Sequence, residues 1–213
     1  MTDSWKQNLY TAKSASEELE YYEKTAREYE DDFFKKMKYS GPEACMQSLL
    51  ECEQKHGFHI PRDCKVIDVG AGTGLSGLAL RRAGFTGQID ALEPSENMYA
   101  LALEKNLYTQ WYKDLIYPDK ETTVPAASYE LVISVGVFNT RSTTSGCLPE
   151  VVRMAKSGGY LSILFNKHYW DQGGFEDTLN SLVDQKVVVL LSLQFKGGYY
   201  EGNTAVSFVL KKL

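Results

Sequence analysis

Cysteine, histidine and proline are scarce in this chain, and it has no long apolar run. The 213 residues include 4 Cys, 3 His and 6 Pro. The cysteines form no CxxC pair, so we expect free thiols in a reducing compartment rather than a disulfide framework. His56 and His59 have HxxH spacing without further ligands, so we predict no metal site. No stretch approaches the roughly 18 uncharged apolar residues of a membrane-spanning helix.

An excess of basic residues is also missing. The formal net charge is −5 and the isoelectric point is near 5.3. A protein held mainly by phosphate contacts usually has a basic surface, so we expect no nucleic-acid partner. The first residues lack the basic start and apolar run of a secretory signal peptide. We therefore expect a cytoplasmic enzyme that acts on a small molecule, has no membrane partner, and is a monomer or homodimer.

The front of the chain carries helix signals only. Apolar residues from Leu19 to Met37 recur at steps of three and four, which predicts an amphipathic helix. Ser40-Gly41-Pro42 ends it, and Pro42 suits the first turn of a second helix. We predict one domain, with residues 1–60 as a helical N-terminal cap or lid and residues 61–213 as the core.

The rest of the chain alternates between strand and helix signals. The predicted strands cover residues 66–69, 89–92, 109–113, 131–137, 160–165, 187–193 and 205–210. This alternation predicts an α/β fold whose seven-stranded sheet is mostly parallel and carries helices on both faces. The short final connection predicts that the last strand is antiparallel.

A glycine-rich turn follows the first predicted strand. Val66–Val69 lead into Gly70-Ala71-Gly72-Thr73-Gly74, and a helix begins at about Leu75. At such a junction, backbone N–H groups and the helix dipole face the crevice in which parallel sheets bind ligands. Glycine lets a ligand approach the main chain closely. Residues 66–74 are therefore the predicted ligand site.

Two classes of ligand fit this turn. Residues 72–77 form the GxGxxG pattern of a nicotinamide dinucleotide site, and Glu93 follows at the distance of a ribose-binding acid. Asp68, however, lies just before the glycines, where it would repel a pyrophosphate and attract an amino group. We favour a methyl donor that carries an amino group, and keep a nicotinamide-dependent reductase as the alternative.

These motifs resemble those of the class I S-adenosylmethionine-dependent methyltransferases over most of the chain. The matching segments are residues 66–74, Glu93-Pro94-Ser95, Lys113-Asp114-Leu115, Tyr129–Phe138 and Glu150–Tyr160. The resemblance implies a Rossmann-like fold, S-adenosyl-L-methionine as cofactor and S-adenosyl-L-homocysteine as its product.

The front section resembles more narrowly the methyltransferase-like proteins encoded in the Williams–Beuren chromosomal region. The shared pattern is Tyr22-Glu23-x-x-Ala26-x-x-Tyr29-Glu30-x-Asp32, followed by Tyr39 and Pro42. The chain departs from that group at Thr25, where Trp is usual, and at Glu23 and Glu30, where Asp is usual. The resemblance implies a lid role for the first helix and supplies no substrate.

The family resemblance also implies roles at the donor site. The backbone of Gly70, Ala71, Gly72 and Gly74 would support the methionyl part, and Asp68 would fix its amino group. Asp68 could instead only accept N–H bonds within the turn. Glu93 would accept both ribose hydroxyls. The other implied cofactor contacts are Tyr22, Tyr29, Pro94, Met98, Asp114, Leu115, Ser134, Val135 and Val137.

Three of these contacts concern adenine. Met98 would pack on the ring, although core packing explains it nearly as well. Asp114 would accept the adenine amino group, and the Leu115 N–H would donate to the ring. A solvated loop acid is the alternative for Asp114.

Two known motifs are missing after Ser134, and their absence narrows the class of methyl acceptor. It has neither the Asn/Asp-Pro-Pro-Tyr/Phe sequence of enzymes that methylate base amino groups nor the acids of Mg²⁺-dependent catechol-type enzymes. We predict in-line, metal-independent methyl transfer to a small-molecule acceptor, with His168 as a candidate general base. The predicted acceptor pocket comprises Phe138, Asn139, Tyr169, Trp170 and Tyr199. A protein acceptor with a basic tail, or donor binding without turnover, also fits the sequence.

Overall fold

The structure is a computed structural model that describes residues 14–31, 38–138, 143–197 and 202–213. Its helices are α1 Ala15–Glu30, α2 Gly41–His56, α3 Leu75–Arg82, α4 Glu96–Leu103, α5 Leu148–Met154, α6 Lys167–Gln172 and α7 Phe175–Asp184. Its strands are β1 Val66–Val69, β2 Ile89–Leu92, β3 Trp111–Tyr112, β4 Tyr129–Val135, β5 Ala155–Asn166, β6 Val188–Lys196 and β7 Ala205–Lys212.

The strands form one seven-stranded sheet in the order β3-β2-β1-β4-β5-β7-β6. The pairs from β3 to β5 are parallel, whereas β7 runs antiparallel to both of its neighbours. The prediction of a mostly parallel sheet with an antiparallel last strand is confirmed. The short connection between β6 and β7 leaves no room for the crossover that a parallel pair needs.

Helices cover both faces of the sheet, as predicted. On one face, Leu148 and Val151 of α5 and Leu179 of α7 enter the core. On the other face, Leu49 of α2 and Leu80 of α3 enter it. Every residue of β1 and β2 is buried, because a strand covered on both sides has no solvent-facing positions.

Some boundaries differ from the predicted ones. The fifth strand begins at Ala155 rather than Tyr160, because the Ser157-Gly158-Gly159 segment forms a bulged irregularity within the strand instead of a turn before it. Gly158 has a φ of +78°, which favours glycine. The prediction placed α1 as far as Met37, and residues 32–37 lie outside the described part of the chain. In the ranges that the structure describes, no helix is long and apolar enough to cross a membrane.

Candidate functional site

A cavity lies at the carboxyl ends of β1, β2 and β4, beneath α1. The chain runs from β1 outward to β2 and β3 and then returns to β4 beside β1. Such a reversal of strand order opens a crevice in which open α/β sheets bind ligands. Most of the predicted cofactor contacts line this cavity, namely Tyr22, Tyr29, Gly70, Gly72, Glu93, Pro94, Met98, Asp114, Leu115, Val135 and Val137.

Gly70 gives the glycine turn its close packing. Its N–H donates to the carbonyl oxygen of Leu92 over 2.8 Å, and its φ is +71°. A Cβ at this position would lie 2.2 Å from Cγ2 of Val137. Both the backbone conformation and the space therefore demand glycine here.

Glu93 lies at the end of β2 with its carboxylate facing the turn. Its Oε2 accepts from the N–H of Gly72 over 2.8 Å, and its Oε1 accepts from the N–H of Ser95 over 2.9 Å. Each carboxylate oxygen has a second lone pair for a ribose hydroxyl. Burial raises the pKa of Glu93 to about 7, although the two N–H donors oppose the rise.

Asp68 lies in the middle of the sheet, behind the turn, and does not line the cavity. Its Oδ2 accepts from the hydroxyl of Tyr108 over 2.7 Å. Its Oδ1 is buried and has no hydrogen-bond partner among the described residues. Burial raises the pKa of Asp68 to about 7, and the hydroxyl of Tyr108 and the N–H of Gly77 lower it in part. No sequence motif marks Tyr108, so this partner of Asp68 was not predicted.

The corner that the sequence predicts to hold adenine is built from α4 and the loop after β3. Ser95 caps α4 by accepting from the N–H of Met98 over 3.1 Å, which places the buried Met98 side chain at the cavity wall. Asp114 accepts from the N–H groups of Leu115 and Thr123, each over 2.9 Å. The predicted donation from Leu115 to adenine would therefore have to share a hydrogen that Asp114 already accepts.

Two tyrosines of α1 form the roof of the cavity. The rings of Tyr22 and Tyr29 meet edge to face with centroids 6.3 Å apart. Burial raises the pKa of Tyr22 well above its ordinary value, and Tyr29, Glu18 and Glu93 add to the rise. The Tyr22 hydroxyl therefore stays protonated and can act as a hydrogen-bond donor.

Acidic residues of α1 fasten this roof to α4. The Glu23 carboxylate accepts from the N–H of Glu96 over 2.7 Å and from the N–H of Asn97 over 3.1 Å. It therefore caps the amino end of a helix in another part of the chain. At the other end of α4, Nζ of Lys105 lies 2.7 Å from Oε1 of Glu30.

Three further predicted cofactor contacts lie outside the cavity wall. Ala71 is buried against α4. A Cβ on Gly74 would lie 3.2 Å from Cβ of Ala102, so this glycine lets the turn pack on α4. Ser134 is fully buried between β1 and β5, because its neighbour Val135 occupies the cavity-facing position of the alternating strand.

The described members of the predicted acceptor pocket do not line the cavity beneath α1. Phe138 and Trp170 are buried with Phe165 and Phe175 in the core beneath α6 and α7, because this face of the sheet needs large apolar side chains to fill it. Tyr169 packs against the same core and does not line the cavity. Asn139 and Tyr199 lie outside the described residues.

His168 does not line the cavity either. It is exposed on α6, and its backbone N–H donates to Oδ1 of Asn166, which caps that helix. This cap starts α6 directly after β5 and leaves the His168 ring packed edge-on against Tyr169. The imidazole predicted as general base is therefore not among the side chains that line the cavity.

The cavity is also lined by residues that were not predicted from the sequence to belong to the site. They are Ala15, Glu18, Leu19, Leu92, Ile116, Gly136 and Thr143. The helical spacing could have indicated Glu18, since it precedes Tyr22 by one turn on the face that carries Leu19. No sequence signal indicates Thr143.

The described part of the cavity wall is acidic. Glu18, Glu93 and Asp114 contribute carboxylates, and no Lys, Arg or His of the described residues lines it. A pyrophosphate would be repelled here, whereas a sulfonium and an ammonium group would be attracted. Asp68 adds a buried oxygen without a partner close to the turn. These features fit S-adenosylmethionine better than a nicotinamide dinucleotide.

Solved structures of methyltransferases share this fold. A Methanococcus maripaludis protein assigned as an S-adenosylmethionine-dependent methyltransferase aligns with a TM-score of 0.62 and 16% identity, over 89% of this chain and 93% of its own. A TehB-like methyltransferase from Corynebacterium glutamicum gives a TM-score of 0.59 and 14% identity, over 91% and 99%. Magnesium protoporphyrin IX methyltransferase from Synechocystis, solved with bound S-adenosylmethionine, gives 0.56 and 15%, over 81% and 80%.

The sequence comparison places the methyltransferase motifs in the same region. Residues 67–163 match the family model described as a methyltransferase domain. No curated protein matches the chain. Residues 67–163 therefore match a methyltransferase domain, and the chain has the Rossmann-like fold of solved S-adenosylmethionine-dependent methyltransferases, which supports S-adenosylmethionine as the cofactor.

Proposed function

We propose that this enzyme methylates a small molecule in the cavity beneath α1, by in-line displacement and without a metal. The observation that carries the proposal is the roof formed by Tyr22 and Tyr29, which covers the same cavity that Gly70 and Glu93 line. A flat or polymeric acceptor would need α1 to move aside, whereas a small molecule could be enclosed with the donor.

The chain's own residues would divide the donor between them. The Glu93 carboxylate would accept the ribose hydroxyls while the N–H groups of Gly72 and Ser95 hold it in place. Asp68 would receive the amino group through its free oxygen, directly or through water. Met98 and Leu115 would enclose the adenine. Bound S-adenosylmethionine supplies an activated methyl group.

The lid would contribute by positioning and by excluding water. Rates rise steeply when reacting atoms are held in line, by roughly 7–11 kcal/mol in favourable cases. Contacts of Glu23 and Glu30 with α4 would hold α1 closed while Ala15, Glu18 and Leu19 border the acceptor. No general base is assigned, since His168 lies on α6 and does not line this cavity.

The proposal also covers the domain organisation, the cellular location and the oligomeric state. We propose one domain, in which residues 1–60 form the cap and residues 61–213 the core, working in the cytoplasm as a monomer or homodimer. We also propose that the front section has the lid role implied by its resemblance to the Williams–Beuren-region proteins, although Glu23 and Glu30 stand where those proteins usually have Asp. Both side chains make the contacts that hold α1 to α4.

Mass spectrometry can identify the acceptor. Cell extracts separated into small-molecule and protein fractions would be incubated with the enzyme and methyl-deuterated S-adenosylmethionine, with Glu93→Ala as the inactive control. We expect one labelled small molecule that is absent from the control. Label confined to protein would contradict the small-molecule proposal. Tight donor binding with no labelled product in either fraction would instead indicate a binding protein without turnover.

A further inference from the structure

Tyr108 makes a buried contact with Asp68. Tyr108 lies in the loop between α4 and β3, 40 positions along the chain from Asp68, and its hydroxyl donates to Oδ2 over 2.7 Å. Asp68 is fully buried in the middle of the sheet. A hydrogen bond to a buried carboxylate is stronger than one at the surface and fixes the side chain's orientation.

Gly77 provides the space for this hydroxyl. A Cβ at residue 77 would lie 2.7 Å from the Tyr108 oxygen and 3.0 Å from the carbon that bears it. Gly77 is the residue that completes the dinucleotide-like GxGxxG pattern with Gly72 and Gly74. In this chain, residue 77 is glycine because a side chain there would collide with the Tyr108 hydroxyl. A bound pyrophosphate is not needed to explain it.

An aromatic row holds the Tyr108 ring and links the two acids of the site. Tyr99 lies 6.1 Å from Tyr108 and stacks on Trp111, with centroids 4.3 Å apart. The Trp111 Nε1 donates to the backbone carbonyl of Glu93 over 2.8 Å. The row therefore touches Asp68 at one end and Glu93 at the other.

The second oxygen of Asp68 remains open. Oδ1 is buried and, among the described residues, no hydrogen bond reaches it. Buried polar atoms in native proteins nearly always find a partner in protein, water or ligand. Asp68 leads directly into the glycine turn, of which Gly70 and Gly72 line the cavity. A donor amino group at that turn would supply the missing partner.

We infer that Tyr108 is a positioning residue of the donor site, whose hydroxyl orients Asp68 so that the free oxygen receives the amino group of S-adenosylmethionine, directly or through water. The inference rests on the proposed role of Asp68. It predicts that Tyr108 contributes to the binding of ligands that carry the amino acid tail and does not contribute to the binding of ligands without it. Tyr108 also favours the ionised carboxylate, in surroundings where Glu93 and Cys45 are the neighbouring titratable groups.

Calorimetry with two ligands tests this inference. S-adenosylhomocysteine carries the amino acid tail, and 5′-methylthioadenosine lacks it. We expect Tyr108→Phe to lower the affinity for S-adenosylhomocysteine about 10-fold, which is the usual scale for one hydrogen bond to a charged group. The affinity for 5′-methylthioadenosine should change less than about 2-fold. Tyr160→Phe, which removes a hydroxyl from a ring stacked on Phe58, is the matched control and should change neither.

A double-mutant cycle separates positioning from general loss of structure. If Tyr108 acts through Asp68, then Tyr108→Phe together with Asp68→Asn should bind S-adenosylhomocysteine no more weakly than Asp68→Asn alone. The loss caused by Tyr108→Phe should also grow toward pH 6, because an Asp68 without its phenol donor protonates at higher pH.

Three outcomes decide the matter. Equal weakening of both ligands by Tyr108→Phe, additive effects in the cycle, or unchanged S-adenosylhomocysteine binding would each overturn the inference while leaving donor binding intact. Failure of the unmodified enzyme to bind either ligand would overturn the proposed donor site itself.

Discussion

Glu93 and Gly72 join the two halves of the donor site through a hydrogen bond of 2.8 Å from the glycine N–H to Oε2. This bond ties the end of β2 to the turn after β1, so the proposed ribose-binding acid and the backbone proposed to hold the methionyl part form one unit. A change at Glu93 therefore affects the turn as well as the ribose contact.

Replacing Glu93 by alanine should greatly weaken donor binding. The variant loses the ribose acceptor and leaves the N–H groups of Gly72 and Ser95 without their partner. At about 1.5–3 kcal/mol for each hydrogen bond to a charged group, we expect a loss on the order of 100-fold or more for S-adenosylhomocysteine. Calorimetry measures it. Glu96→Gln, at an exposed neighbouring glutamate, should bind normally, and equal losses in the two variants would argue against a specific role.

The unliganded enzyme should lose stability as the pH rises toward neutrality. Burial raises the pKa values of Asp68 and Glu93 to about 7 from ordinary values of 3.8 and 4.5. A carboxyl with a raised pKa stabilises the fold while it is protonated, below its ordinary pKa, and this contribution is lost as the pH passes through about 7. We expect Glu93→Gln to melt several degrees higher than the unmodified enzyme at pH 8, with a smaller gap at pH 5. A gap that does not change with pH would contradict the raised pKa.

Replacing Gly70 by alanine should close the site. The new methyl group would lie 2.2 Å from Val137, and a φ of +71° costs roughly 1 kcal/mol for a residue with a side chain. Gly84→Ala is the matched control, since Gly84 has a φ of +89° and open space around it. We expect Gly84→Ala to lower the free energy of unfolding slightly and leave donor binding unchanged, whereas Gly70→Ala should abolish binding.

A second substitution checks that the steric cause is correct. Val137→Ala removes the atom that the added methyl group would meet. In the Gly70→Ala background it should restore part of the S-adenosylhomocysteine affinity. No recovery would mean that the backbone conformation, rather than Val137, limits binding.

The contact between Glu23 and α4 should hold the lid closed. Glu23→Ala removes both hydrogen bonds to the amino end of α4, and we expect faster amide exchange in residues 15–30 and donor dissociation faster by about 5- to 10-fold. Hydrogen exchange and stopped-flow fluorescence measure the two effects. Glu20→Ala, which breaks only the exposed pair with Lys24 on the same helix, should leave both unchanged. Equal exchange in the two variants would show that Glu23 does not restrain α1.

The sequence predicted the parts of the fold that depend on local pattern. The unbroken apolar runs of β1 and β4 indicated strands covered on both faces, and the glycines after Val69 indicated the strand-to-helix turn. The Ser157-Gly158-Gly159 segment was misplaced because a bulge and a turn need the same residue types. Pairing with β4, which no local pattern reveals, decides between them.

The candidate site also has residues that local sequence patterns indicate and residues that only the folded structure brings together. Glu93 and Met98 follow their motifs and line the cavity, while their contacts with ribose and adenine stay predictions. Trp170 and Phe138 were assigned to an acceptor pocket because aromatic residues near a strand end suit both a pocket and a core. Tyr108 was missed because its partner Asp68 lies 40 positions away, and only the folded sheet brings them together.

The most direct test of the account is calorimetric titration of the unmodified protein with S-adenosylhomocysteine and, separately, with NADH. The acidic cavity and the Glu93–Gly72 unit predict micromolar binding of S-adenosylhomocysteine in a one-to-one ratio and no heat with NADH. Binding of NADH without any response to S-adenosylhomocysteine would contradict the account.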